Sequence, residues 1–477
     1  MSFISLHFFS IVFCLFTVYY ILPAKFQPYL LLLGSIYFYY RSSGALLLLL
    51  AATSFAAYFF GYFLCEKTLP YRKVLLFFAI ICLLSPLYVL KYSSFTLQLF
   101  GINFADSFVL PMGISFYTLQ LIAYVIDVYK EKQLPEKNFF RFFLFASFFP
   151  QIIQGPIPRF HALSETLFQK HEFDEKTILY GLQKILWGIF FKFMIASKAA
   201  VLVDDIFNSQ EYISGSLYLT AGLLYSFQLY ADFISCVYLA QGVSLLFGVK
   251  LSENFARPYL SDSIKDFWRR WHISLSSWLR DYVYIPLGGN RKGKLRTTIN
   301  LLITFFVSGL WHGAGFKYIV WGLMHGFYQL IGKFTFSFRN RIYTLVKPLN
   351  TLRPVLQKLT TFVLVTAAWI IFRANTLESG LHALHSIAFD FHPEALFNGT
   401  LFTRGLNEAE FVLLFICIIF LLLWDYAAEK GKDIMTHFTN KSTAGQFICF
   451  FLLLFVIVVF GTYGYGYDAS SFIYGGF

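Results

Sequence analysis

Apolar runs recur along this chain, several of them close to the length of a bilayer span, and short charged turns separate them. The clearest occupy residues 2–22, 27–40, 44–65, 72–90, 181–198, 361–372, 411–424 and 447–460. A helix needs about 20 apolar residues to cross the hydrocarbon core, where it satisfies its own backbone hydrogen bonds. The sequence therefore predicts an all-α polytopic membrane protein with about eleven to thirteen membrane segments.

Composition indicates one membrane-embedded unit rather than several soluble domains. Of the 477 residues, 57% are hydrophobic and 21% are aromatic, which is far more than soluble domains use. Because no polar linker divides the chain, we interpret residues 1–477 as a single integral membrane domain. Residues 2–22 lack an early basic region and a small-residue cleavage site, so we expect a retained first helix rather than a signal peptide.

The charge and the cysteines exclude several classes of function. A net charge of +12 is typical of basic cytoplasmic loops in contact with anionic membrane lipid, and no nucleic-acid-binding motif accompanies it. The six cysteines are scattered singly through apolar segments, without metal-ligand spacing. We therefore expect no metal site, no bound cofactor and no nucleic-acid partner.

The most informative stretch runs from Asp266 to Gly313. At helical period its first part places one set of side chains on an aromatic face: Trp268, Trp271, Leu275, Trp278 and Tyr282. A second, largely cationic face holds Lys265, Arg269, His272, Ser276 and Arg280. Ser263 can cap the start of this helix. The pattern predicts one amphipathic helix that lies at the membrane surface.

An apolar run follows and ends in Trp311, His312 and Gly313. An ionisable side chain within a membrane segment indicates a functional site by default, and a partly buried imidazole suits base catalysis. The alternative is a core histidine bonded to a backbone carbonyl, and spacing alone leaves both interpretations open. Gly309 and Gly313 would let a neighbouring helix or a substrate approach closely.

Several boxes of sequence resemble the membrane-bound O-acyltransferases, and most of all the bacterial branch typified by the alginate O-acetylase membrane subunit. The longest begins F-W-R-R-W-H-I-S-L-S at Phe267 and continues to Arg291, and the L-W-H-G box ends at Gly313. Shorter ones are P-M-G-I-S-F-Y from Pro111, Q-G-P-I from Gln154 and Y-S-F-Q-L-Y-A-D-F from Tyr225. The resemblance implies a helical bundle with a central tunnel and re-entrant or interfacial helices.

The resemblance also implies roles for individual residues. The family places its catalytic histidine at His312, and His272 matches a second family histidine that would position or polarise the thioester. We expect substrate-binding residues among Arg269, Arg270, Ser276, Asp232, Gln228 and Trp311. Asp232 and Gln228 lie one helical turn apart and could face the cavity together. Where the family commonly continues S-G-Y-S-D, this chain has residues 234–238 ending in Tyr238, so a second acid is absent.

These boxes divide the domain into scaffold helices (1–108), a catalytic core (109–375) and an extramembrane loop with C-terminal helices (376–477). We expect Lys192 to snorkel from its apolar segment and His325 to serve packing. His382, His385 and His392 lie in the longest polar segment without a clear ligand spacing, which favours a solvated surface over a metal site.

The C-terminal motif Phe472-x-Tyr474-x-x-Phe477 resembles an aromatic motif found in partners or tails of bacterial family members, and the resemblance implies that Tyr474 is an acyl relay. A phenol is more acidic than a sugar hydroxyl, so a histidine base activates it more easily. The alternative is an interfacial aromatic anchor of the kind that Tyr463, Tyr465 and Tyr467 would provide.

Together these features predict a multi-pass O-acyltransferase of the cytoplasmic membrane. The donor would be an acyl-CoA, most simply acetyl-CoA, at a cytoplasmic face that includes the basic segment 265–296. The resemblance to bacterial members of the family implies that the acceptor is a hydroxyl of an extracytoplasmic polysaccharide or of the cell wall, reached through a partner transferase. The alternative is a transporter or flippase of a polysaccharide precursor, which would show inverted repeats, and no second copy of the 266–313 stretch is present.

Overall fold

The computed structural model describes residues 4–102, 108–152 and 154–463, and every regular element in these ranges is helical. The prediction of an all-α membrane protein is confirmed. Within the described ranges, seven helical stretches are long and apolar enough to cross a membrane: 24–64, 72–99, 175–208, 215–245, 348–373, 408–429 and 443–460. Two shorter apolar helices add to them. The count is lower than eleven to thirteen because several apolar runs lie in shorter or more polar helices.

The described residues up to Leu99 form five helices. They are α1 (Leu6–Ile21), α2 (Gln27–Ser43), α3 (Leu47–Leu64), α4 (Arg72–Leu87) and α5 (Ser93–Leu99). A π-helical turn, Tyr88–Tyr92, joins the last two.

The middle of the chain is the most deeply buried part. Its helices are α6 (Ile114–Tyr129), α7 (Phe139–Ser147), α8 (Phe160–Leu167), α9 (Glu175–Phe190), α10 (Ser197–Asn208), α11 (Gly215–Leu245), α12 (Ile264–Arg270) and α13 (Ile273–Leu279). A π-helical segment, Phe191–Ala196, joins α9 to α10. Helix α11 is 31 residues long, and most of its residues are buried on all sides.

The remaining helices surround this centre. They are α14 (Gly293–His312), α15 (Phe316–Phe334), α16 (Phe336–Leu345), α17 (Lys347–Arg373), α18 (Leu377–Phe389), α19 (Glu408–Glu429), α20 (Ile434–Thr439) and α21 (Thr443–Phe460). The segment 376–408, predicted as a loop, therefore contains a helix that begins with a capping box at Thr376 and Ser379. His382 and His385 are exposed on it.

The prediction of a single amphipathic helix from Asp266 onwards is wrong in one respect. The cap at Ser263 is confirmed, since its hydroxyl accepts from the Asp266 backbone N–H at 3.2 Å. The helix breaks, however, at His272, whose φ is 45°. The chain around Asn254 runs alongside and replaces the helical hydrogen bonds, because the Ile273 N–H donates to the Asn254 carbonyl at 3.0 Å.

The aromatic face of this segment does not lie at the membrane surface. Trp268, Trp271 and Trp278 are all buried inside the protein. Trp271 packs on Trp369 of α17 at 5.2 Å between ring centroids, and Trp268 packs on Trp321 of α15 at 5.7 Å. These rings are core residues.

Charged loops gather at one end of the bundle, which we call the basic end. It comprises the loops 65–72, 130–138 and 168–174 and the segment 280–296. Lys67 pairs with Glu131 at 2.6 Å, Arg159 pairs with Asp281 at 3.3 Å, and the Tyr282 hydroxyl donates to Asp127 at 2.6 Å. The contacts Lys67–Glu131 and Tyr282–Asp127 join three of these segments, 65–72, 130–138 (with the end of α6 that leads into it) and 280–296, at one end of the bundle.

Candidate active site

His312 is the last residue of α14 and only 1% of its surface is exposed. Three aromatic rings meet it edge-on, with centroid distances of 4.9 Å to Trp311, 4.8 Å to Trp321 and 5.6 Å to Phe372. They come from α14, α15 and α17. The imidazole therefore lies in a desolvated aromatic enclosure at the junction of three helices.

The two glycines beside His312 serve helix packing. A Cβ on Gly309 would lie 2.3 Å from the Tyr318 carbonyl oxygen, and one on Gly313 would lie 2.1 Å from the Tyr318 ring. Gly322 of α15 has equally little space around it, because a Cβ added there would lie 2.3 Å from the Phe305 carbonyl oxygen. The close approach predicted at Gly309 and Gly313 is therefore that of α15, which presses against the end of α14.

His272 lies on the other side of Trp311. Its ring centroid is 5.8 Å from that of Trp311 and 4.8 Å from that of Phe233, and the side chain is fully buried. The break at His272 turns its imidazole inwards, away from the cationic face on which sequence periodicity placed it. The structure thus brings His312, His272 and Trp311 together.

Asn254 fixes the proton on the His272 ring. The Asn254 Oδ1 atom accepts from the Ser274 backbone N–H at 3.0 Å and from the Ser274 hydroxyl at 2.9 Å, which identifies it as the amide oxygen. His272 Nδ1 lies 3.4 Å from the same oxygen and so acts as the donor. In the neutral ring Nε2 is then a hydrogen-bond acceptor, and it has no hydrogen-bond partner among the described residues.

A lysine from the predicted scaffold reaches this site. Lys91 Nζ donates to the Trp311 carbonyl oxygen at 2.8 Å and to the Ser115 hydroxyl at 3.2 Å. The Trp311 indole N–H donates to the Ser115 carbonyl at 3.2 Å. Sequence reasoning missed Lys91, although a lysine in an apolar helix is itself a signal of a buried partner.

Asp232 has a partner other than a substrate. It accepts from Lys192 Nζ at 2.7 Å, and both side chains are about 97% buried or more. Lys192 therefore pairs inside the protein rather than snorkelling, which corrects the prediction. Gln228, one turn earlier, is also buried, and its Oε1 atom has no hydrogen-bond partner in the described part of the chain.

Tyr238, which stands where the resemblance places a second acid, has a lysine as its neighbour. Lys184 Nζ lies 4.9 Å from the centre of the Tyr238 ring and donates to Gln241 at 2.8 Å. An aromatic face thus meets this lysine.

The other residues predicted to bind substrate point elsewhere. Arg270 forms ion pairs with Asp266 at 2.8 Å and with Glu429 at 3.0 Å, so carboxylates already occupy its guanidinium. Arg269 is largely exposed and pairs with Asp266. The Ser276 hydroxyl donates back to the Trp271 carbonyl at 3.2 Å. None of these contacts is directed at His312.

Two buried side-chain amides lie on a segment that contacts the chain next to His272. A Cβ on Gly113, in the P-M-G turn, would lie 2.2 Å from the Ile152 carbonyl oxygen, so this turn packs on the segment that follows α7. The same segment reaches Ser274, whose hydroxyl accepts from the Ile157 N–H at 3.0 Å. The side-chain amides of Gln151 and Gln154 are buried there without a hydrogen-bond partner among the described residues. Buried polar groups normally bind water or a ligand.

Two further predictions have different outcomes. His325 is buried among the rings of Trp268, Trp321 and Phe267, as its packing role requires. Tyr474 lies outside the described residues. Among the described residues no group of three His, Cys, Asp or Glu side chains could hold a metal ion.

Comparison with known proteins places this arrangement in a family. The sequence profile of the membrane-bound O-acyltransferase family matches residues 136–372, which include both histidines. The chain is 37% identical over 361 residues to a peptidoglycan O-acetyltransferase of Helicobacter pylori, and the match covers 68% of this chain and 67% of that protein. This chain belongs to the membrane-bound O-acyltransferase family.

Two other relatives show the breadth of this family. A probable alginate O-acetylase of Pseudomonas syringae is 38% identical over 327 residues, or 68% of this chain and 60% of the relative. A teichoic acid D-alanyltransferase of Bacillus subtilis is 34% identical over 279 residues, or 55% of this chain and 68% of the relative. The match thus spans less than two thirds of the alginate relative's own length.

Proposed function

We propose that this protein is a membrane O-acyltransferase that moves an acetyl group from acetyl-CoA to a hydroxyl group of a polysaccharide or cell-wall polymer. The observation that supports this most is the pairing of two buried imidazoles, His312 and His272, around Trp311. Family members with matching sequence are named for acyl transfer to three different polymers.

His312 acts as the general base in this proposal. It takes the proton from the acceptor hydroxyl while the hydroxyl oxygen attacks the thioester carbonyl carbon. The tetrahedral intermediate collapses, the C–S bond breaks, and the CoA thiolate leaves. The imidazolium returns the proton to that thiolate, so the products are the O-acetyl ester and free CoA.

His272 positions the acceptor rather than the thioester. With the proton on Nδ1, its Nε2 atom accepts hydrogen bonds but cannot donate one to a carbonyl oxygen. A hydroxyl group that donates to Nε2 would be held near His312. This replaces the polarising role first considered for His272.

The donor enters from the basic end, which faces the cytoplasm in this proposal. Lys292, Lys294 and Arg296 are exposed there and would attract the phosphates of CoA. The unpartnered amides of Gln151 and Gln154 would line a hydrated tunnel that leads to the histidines.

The acceptor lies on the opposite face and is reached through a partner transferase. Tyr474 acts as the relay in this scheme: its phenol is the hydroxyl that His312 deprotonates, so the first O-acetyl ester forms on Tyr474. This reactive phenyl ester then passes the acetyl group on towards the polymer. The protein would reside in the cytoplasmic membrane. The polymer is of the alginate, peptidoglycan or teichoic acid type, by similarity to the named relatives.

Reconstituted protein tests the proposal. Purified protein in lipid nanodiscs would be incubated with acetyl-CoA and D-alanyl thioester donors, and free thiol release would be measured. We expect release from acetyl-CoA and O-acetyl groups in polymer extracted from cells that express the protein. Absence of O-acetyl groups in that polymer, with folded protein present, would overturn it.

A further inference from the structure

A pocket of about 300 Å³ opens at the basic end, between α2, α7 and the segment after α8. Its lining residues are distant in sequence from His272 and His312. Three cationic side chains from three different elements line it, namely Lys25, Arg141 and Lys170, and its described lining contains no carboxylate. Apolar side chains form the rest, including Leu32, Leu144 and Phe168. The pocket thus combines positive charge with an apolar floor.

Three contacts hold the walls of this pocket in place. The Gln27 side-chain amide donates to the His171 carbonyl at 2.9 Å, and the His171 N–H donates to Gln27 Oε1 at 3.2 Å. The Arg141 guanidinium lies over the Phe168 ring, 4.9 Å from its centre. The site is therefore built before any ligand arrives, which lowers the entropic cost of binding.

Two of the three cations are available to a ligand. Lys170 pairs with Glu172. Lys25 and Arg141 form no ion pair with any residue in the described ranges; Lys25 lies 5.0 Å from the Phe26 ring centre. An anion in the pocket would neutralise both.

The mouth of the pocket continues into a stripe that faces the lipid. Tyr29, Leu33 and Tyr37 follow each other at helical spacing on α2 and are 47%, 65% and 44% exposed. Tyr29 also lines the pocket. Because α2 lies in a candidate membrane span, the stripe would contact hydrocarbon in a bilayer. The geometry suits a ligand with an anionic head and a long apolar tail.

We propose that this pocket binds the phosphodiester headgroup of an anionic phospholipid, with one acyl chain along the Tyr29–Leu33–Tyr37 stripe. The phosphate contacts Lys25 and Arg141, and the guanidinium can donate two hydrogen bonds to it. A zwitterionic lipid binds more weakly, because its own ammonium group meets the same cations. The site is independent of the acyl-transfer proposal, since none of its residues contacts His312 or His272.

The test compares two double variants of the full-length protein that lose the same charge at the same end. Lys25→Gln/Arg141→Gln alters the pocket, and Lys73→Gln/Lys137→Gln alters exposed lysines outside it. Delipidated protein would be titrated with phosphatidylglycerol and phosphatidylcholine, and bound lipid would be counted by native mass spectrometry. Elution volume and melting temperature check the folding of each variant.

We expect the wild type to prefer phosphatidylglycerol and the pocket variant to lose roughly 25-fold in affinity, or about fivefold for each charge removed. The control variant should stay within about twofold, since neither of its lysines lines the pocket. Arg141→Gln alone, with about a fivefold loss, serves if the double variant fails to fold.

Glycerol phosphate should not displace the lipid. Equal loss in both double variants, no preference for the anionic lipid, or displacement by glycerol phosphate would each overturn the proposal.

Discussion

The ammonium group of Lys91 donates a hydrogen bond to the carbonyl oxygen of Trp311 over 2.8 Å. Trp311 is the penultimate residue of α14, where carbonyl groups have no partner within the helix and the helix dipole favours a cation. The neighbouring Tyr92 hydroxyl donates to the Leu310 carbonyl at 2.9 Å. The N-terminal helices thus hold the end of the helix that carries His312.

Lys91→Met should therefore lower turnover. The change keeps the length of the side chain but releases the Trp311 carbonyl, and small misplacement of a catalytic group costs about tenfold to a hundredfold in rate. We expect kcat to fall by at least about tenfold while KM for acetyl-CoA changes little, and Lys91→Arg should recover part of the loss. The matched control is Tyr92→Phe, which removes a neutral donor to the adjacent carbonyl. Unchanged kcat in Lys91→Met would refute this role.

The buried pair of Lys192 and Asp232 should matter for stability. Asp232→Asn leaves a lysine in the protein interior without its carboxylate, which typically costs about 3–5 kcal/mol. We expect a clear drop in the melting temperature in detergent and substantial recovery in Lys192→Met/Asp232→Leu, where both charges are gone. A stable Asp232→Asn protein with impaired donor binding would instead return Asp232 to the substrate site.

The orientation of the basic end is open to direct labelling. Cysteines would replace Lys292 and Asn398 separately, in a background without the six native cysteines. Asn398 lies between α18 and α19, at the end of the bundle opposite the basic end. An impermeant thiol reagent added to intact cells should label position 398 and not position 292, because basic segments stay in the cytoplasm. Ready labelling at position 292 would contradict the cytoplasmic donor site.

The relay role of Tyr474 depends on one oxygen atom. Tyr474→Phe keeps the aromatic ring for interfacial anchoring and removes only the hydroxyl group. We expect the variant to insert and elute normally while O-acetylation of the polymer is lost. Persistent polymer acylation would show that the tail is an anchor.

The sequence predicted the helical class, the cap at Ser263 and the close approach of a neighbouring helix at Gly309 and Gly313. It could not predict the break at His272, because that break depends on hydrogen bonds from the chain around Asn254, 18 residues earlier. A helical period also cannot tell a lipid-facing tryptophan from a core tryptophan, since both surroundings are apolar. Trp268 and Trp271 were misplaced for this reason.

The site was predicted unevenly for a related reason. His312 and His272 stand in boxes that resemble those of the family. Lys91 stands alone in an apolar segment, and the Trp311 carbonyl that it contacts is more than 200 residues away in the sequence. Lys192 and Asp232 were each visible in the sequence, but only the packing of the π-helical segment 191–196 on α11 joins them.

The most direct measurement of the central claim is the acetyl-transfer rate of His312→Ala in nanodiscs, with His325→Ala as the matched control. Both histidines are buried among aromatic rings, but only His312 is assigned a proton-transfer role. A positioned base contributes about a hundredfold or more. We expect His312→Ala to keep its elution profile and lose at least that much activity, while His325→Ala, if it folds, retains most of its rate. Near-wild-type transfer by folded His312→Ala would contradict the account.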